Sequence, residues 1–129
     1  MALKRGESKL YYCDLYLLDI KHIDNEKHKI LTGVSNVNTL NFAKWLSNRN
    51  SKVWIRHVLV PGYTDFDKDL QNLAEFIKTL NNVEKIEVLP YHTMGVVKYQ
   101  NMGIEYPLKD VSAPTKERVL NAKKILGVI

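Results

Sequence analysis

Four side chains capable of ion pairing or proton exchange stand at matching places in the sequence. Asp19 and Lys21 end the run "DLYLLDIKH", Arg56 lies inside "KVWIRHVLV", and His92 directly follows "KIEVLPY". Side chains alternate across a strand, so Asp19 and Lys21, two positions apart, share one face. A carboxylate, an ammonium, a guanidinium and an imidazole meeting in one pocket suit a small zwitterionic or hydroxyl-rich ligand. The acid takes hydroxyls or an ammonium group, and the cations take a carboxylate. Such chemistry describes binding and names no reaction. Each residue also has a plainer reading: Asp19 and Lys21 as a strand exit reaching solvent, Arg56 as half of an ion pair with Glu87, His92 as a hydrogen-bonded loop histidine. What favours a site is the coincidence across three strands. His22, His28 and His57 carry no functional weight in this reading, and no histidine pair has zinc spacing, so no metal site is expected.

The elements that must position these groups follow from the apolar pattern. Residues 14–20, 52–60 and 85–91 are short apolar runs bounded by turn signals, the pattern of strands covered on both faces. In "DFDKDLQNLAEFIKTLNN", Phe66, Leu70, Leu73, Ile77 and Leu80 recur at helical steps, with Asp65 as the expected N-cap and asparagines at the C-terminal end. "NVNTLNFAKWLSN" carries Val37, Leu40, Ala43 and Leu46 on one stripe, widened by Phe42 and Trp45. "PTKERVLNAKKIL" (114–126) is expected to begin a helix at its proline, where the missing amide hydrogen costs nothing.

The resulting order, β-α-β-α-β-α, requires parallel strands, because a right-handed helical crossover returns each strand in the same direction. The expected class is α/β, an open sheet or an arc of a βα barrel. Ligands bind such sheets at the C-terminal ends of the strands. Asp19, Lys21, Arg56 and His92, with Gly95 after it, are delivered toward that edge.

Composition sets the frame. With 129 residues, 45% of them hydrophobic and 26% charged, the chain fits one globular domain. The net charge of +5 comes from lysines scattered along the chain, without a basic run interleaved with aromatics, so nucleic-acid binding is not expected. The single cysteine, Cys13, excludes an intrachain disulfide framework and fits a reducing cytoplasm. There is no apolar stretch of transmembrane length, and "MALKRGESKL" is too polar for a signal-peptide core. A membrane role is not expected.

Taken together and in order, "LLDIKH", "LTGVSN", "KVWIRHVLVPGYTD", "VEKIEVLPYH" and "MGIEYPL" resemble the C-terminal half of the pyruvate formate-lyase activating enzyme family. The resemblance runs from Asp14 to the C-terminus and leaves residues 1–13 as an irregular lead-in. It implies the last three units of a partial (β/α)6 radical S-adenosylmethionine (SAM) barrel. It further implies SAM and a 4Fe-4S cluster as cofactors, and pyruvate formate-lyase or a related glycyl radical enzyme as partner. The family cleaves SAM reductively at its cluster, and the 5′-deoxyadenosyl radical takes a hydrogen atom from a glycine of the partner.

Carried over residue by residue, Asp19 lies beside SAM and, with the Leu17 carbonyl, holds a monovalent cation. Lys21 contacts SAM polar groups, Arg56 faces the methionine moiety, and His92 lies near the adenosine. The family's CxxxCxxC cluster motif has no counterpart in these 129 residues, where Cys13 stands alone and reads as a small buried residue. The chain alone is therefore expected to be inactive. Three further expectations follow: a partner chain carrying the missing half, self-association through an open strand edge, and, as the alternative to a split activase, a non-catalytic binding or complementing module. A sugar- or phosphate-binding fragment of another barrel is the more generic reading.

Overall fold

The computed structural model describes residues 15–92 and 111–128. Three strands, β1 (Tyr16–Asp19), β2 (Val53–Leu59) and β3 (Val83–Pro90), alternate with four helices, α1 (Asn25–Thr32), α2 (Val37–Asn48), α3 (Asp67–Lys78) and α4 (Lys116–Ile125). The sheet order is β1-β2-β3, and both pairings are parallel. This is the expected α/β class. Cys13, the lead-in and Gly95 lie outside the described residues.

Burial on β2 alternates strictly between buried and half-buried residues. The expectation of strands covered on both faces is thus corrected. Leu18, Ile55 and Val88 face a core closed by Ala43 and Leu46 of α2, Leu70, Leu73 and Ile77 of α3, and Ala122 of α4. On the strands, the intervening positions bear Leu17, Asp19, Trp54, Arg56, Lys85 and Glu87, a mixed face on which Leu17 is 57% exposed. Among the described residues, helices pack this core from one side, so the opposite face can keep its charges near water at little desolvation cost.

Helix ends differ from the sequence expectation for local reasons. Asp65 does not cap α3. Phe66 occupies that position without a side-chain bond, while the Asp65 carboxylate accepts from the Gly62 amide at 2.9 Å and closes the turn before the helix. Phe66 itself is half exposed, outside the core stripe, with the Lys27 ammonium 5.2 Å from its ring centroid. At the far end, the asparagines join elements instead of capping: Asn81 Oδ1 accepts from Ser47 Oγ at 2.9 Å, and Asn82 donates to the Ser51 carbonyl. Pro114 precedes the cap of α4. Thr115 is the N-cap, its Oγ1 accepting from the Arg118 amide at 3.2 Å.

Helix α1 was not expected at all. Its signals are polar: the Asp24 carboxylate accepts from the Lys27 amide at 3.0 Å, and Gly33 ends the helix at φ +83°. The only residue it buries is His28.

Candidate strand-end site

The parallel register sets two rows of side chains across the sheet. Leu17, Trp54 and Lys85 are partners in one row, and Asp19, Arg56 and Glu87 are partners in the next. Because neighbouring strands lie only about 4.8 Å apart, residues in register on one face must interact. The Arg56 guanidinium therefore stands between two carboxylates, with Nε 3.8 Å from Asp19 Oδ1 and 4.0 Å from Glu87 Oε1. Lys21 Nζ reaches Asp19 Oδ2 at 3.8 Å, and Lys85 Nζ lies 3.9 Å from Glu87 Oε2 and 4.8 Å from the Trp54 ring centroid. The result is an alternating row, two carboxylates and three cations, at the exit of β1 and across the middle strand.

All these approaches are longer than a hydrogen bond. Arg56 Nε is buried and has no hydrogen-bond partner among the described residues, although its side chain as a whole is 37% exposed. A buried donor of this kind needs an acceptor, and a ligand carboxylate approaching the row would supply one. The residues present thus fit an anionic or zwitterionic group.

Of the four sequence candidates, the structure joins Asp19, Lys21 and Arg56. His92 lies past the end of β3, beyond Glu87 on the same strand, and is exposed. Glu87, considered in the sequence only as a structural partner of Arg56, belongs to the row as fully as Asp19. The ion pair expected between it and Arg56 is present, with Nε 4.0 Å from Oε1 across paired strands. Among the described residues no group of three or more metal-ligating side chains is present, and no helix is long and apolar enough to cross a membrane.

Behind the row, the exit of β1 is held by buried polar side chains. His57 Nδ1 donates to the Ile20 carbonyl at 2.7 Å, and His22 Nε2 donates to the Tyr63 carbonyl at 2.9 Å while its Nδ1 accepts from the Asp24 amide. Asn36 Nδ2 donates to the carbonyls of His22 and Ile23 at 3.1 and 2.9 Å. Burial pushes the His57 imidazole below its ordinary pKa, against the opposing pull of the Ile20 backbone. The exposed Lys27 ammonium is held above its usual value chiefly by its 2.7 Å hydrogen bond to the buried carboxylate of Asp69.

Comparison with known proteins agrees with this architecture. No family model matches the chain. It is 53% identical over 124 residues to a pyruvate formate-lyase-activating enzyme of Streptococcus mutans, covering 96% of this chain and 47% of that protein. A Staphylococcus aureus protein of the same name is 59% identical over 116 residues, 90% of this chain and 46% of its own. Among solved structures, a domain of pyruvate-formate lyase-activating enzyme from Bacteroides vulgatus superposes with a TM-score of 0.76 at 24% identity, covering 98% of this chain and 70% of that one. A radical SAM methyltransferase from Sphaerobacter thermophilus gives 0.60 at 14% identity over 98% of this chain and 35% of that one. These two likenesses show a shared fold. The chain spans about half the length of the relatives it matches, and along nearly all of its own length it is a homologue of the pyruvate formate-lyase-activating enzymes.

Proposed function

We propose that this chain supplies the C-terminal half of a radical SAM activase and contributes Asp19, Lys21, Arg56 and His92 to the SAM site. The observation that carries the reading is the buried Arg56 Nε, which among the described residues lies between two carboxylates at ion-pair distance without a hydrogen bond to either. SAM's methionine moiety has a carboxylate and an ammonium group. Arg56 and Lys21 would bind the first, and Asp19 has the charge to bind the second. His92, at the exit of β3, would face the adenosine end. When bound, SAM supplies a reductively cleavable sulfonium, and the product activates a glycine on pyruvate formate-lyase or a related enzyme.

The residues do not fit the 4Fe-4S cluster. Site-bound clusters are held by several thiolates, and these 129 residues contain one cysteine. The cluster ligands must come from outside this stretch, on a preceding segment or a separate chain in the same reducing cytoplasm. The test is 5′-deoxyadenosine formation after anaerobic reconstitution with iron and sulfide. This chain alone should form none. Adding a polypeptide with the CxxxCxxC half should restore it, together with a glycyl radical on pyruvate formate-lyase. Turnover by the chain alone would overturn the assignment of the missing thiolates, and silence of the mixture despite complex formation would favour a non-catalytic binding module.

A further inference from the structure

We infer that His57 is a positioning residue for the strand-end row: its buried Nδ1–H fixes the exit of β1 and so holds Asp19 opposite Arg56. The inference rests on the reading of that row as a ligand site. Three observations carry it. First, Ile20 follows Asp19 directly and is tied to β2 at both of its backbone groups. Its amide donates to the Arg56 carbonyl at 3.0 Å, and its carbonyl accepts from His57 Nδ1 at 2.7 Å. Residues 56 and 57 therefore hold Ile20 at both its amide and its carbonyl, while Arg56 presents its side chain to the charged face and His57 to the core.

Second, the bond is sheltered. Ile20 is fully buried and His57 is 3% exposed, so water cannot replace the imidazole as donor to the Ile20 carbonyl without opening the core. Third, the next bend of the chain is fastened separately, by Asn36 to the carbonyls of His22 and Ile23 and by His22 to Tyr63. Loss of His57 would thus free Ile20 and its neighbour Asp19 locally, with the following turn still anchored. A fully apolar core residue at position 57 would fill the same space and leave that carbonyl unsatisfied.

The experiment is amide hydrogen exchange of the chain by NMR, with the Arg56 Nε–H resonance recorded alongside. His57→Asn places an amide N–H where Nδ1 stands, whereas His57→Gln, of similar size, places it near Nε2. The Ile20 amide should exchange about tenfold faster relative to those of Ile55 and Val88 in His57→Gln. In His57→Asn it should return toward the wild-type rate, and the Arg56 signal should shift only in His57→Gln. Equal Ile20 exchange in the two variants, acceleration shared by all core amides, or an unmoved Arg56 signal would each overturn the inference. Titration of the wild-type chain with SAM reads the ligand assignment separately: an Arg56 signal indifferent to SAM would remove that assignment while the exchange result still decides the role of His57.

Discussion

Arg56 is the residue at which the local energetics fail to balance. Its ion contacts at 3.8 and 4.0 Å involve side chains between 28% and 48% exposed, and such pairs contribute about 0–1 kcal/mol each. A buried donor without a hydrogen bond costs about 1–3 kcal/mol. The row therefore does little for stability, as the proposed role in ligand binding would allow. Replacing Asp19 by Asn should accordingly shift the urea midpoint by no more than about 1 kcal/mol-equivalent in stability. A larger loss would make the row a structural clamp. His57 behaves oppositely. Its pKa is depressed in the fold chiefly by burial, against the opposing hydrogen bond to the Ile20 carbonyl. The unfolded chain then binds a proton more readily, so stability is greatest above the unfolded histidine pKa of about 6.5 and falls as pH drops below it. Stability curves at about pH 7.5 and pH 5 should show this loss in the wild type and a smaller one in His57→Asn, after correction for the other groups.

At the scale of elements, the strands and the three amphipathic helices were legible because burial imposes a period. Leu70, Leu73 and Ile77 of α3 lie in the core as their spacing requires. The strand ends moved by a residue or two, since apolar runs do not show where pairing stops. Helix α1 escaped because "NEKHKILT" buries only His28 and has no apolar stripe to detect; its Asp24 cap and Gly33 terminus were the available signals. Asp19 and Lys21 lie at the exit of β1 as expected, whereas Arg56, expected toward the same edge, stands in the middle of β2 and meets Asp19 through the parallel register. The pairing of Arg56 with Glu87 was legible too, but the grip of His57 on Ile20 depends on register, which a single sequence does not contain. Gly33 offers a check on α1. It sits at φ +83° with open space where a Cβ would point, so Gly33→Ala meets only backbone strain. A loss of about 1 kcal/mol in denaturant unfolding is expected, and a neutral or stabilising substitution would contradict the left-handed terminus.

Among the described residues, the chain presents a three-stranded parallel sheet with β1 and β3 as its outer strands and one mixed, partly apolar face. Its relatives are about twice as long. Strand edges unpaired among the described residues, and exposed residues such as Leu17, would recruit other chains, so the isolated protein is expected to self-associate at high micromolar concentration in light scattering, and addition of the complementary half to disperse it. A clean monomer would show that the edges are already protected. The most direct test of the central claim transplants this chain into the matching stretch of a full-length relative and measures SAM affinity by calorimetry. The Asp19→Asn and Arg56→Ala versions, folded and with their cluster intact, should bind SAM about 1–3 kcal/mol more weakly than the unsubstituted chimera. Unchanged affinity in both would contradict the assignment of the charged row to the SAM site.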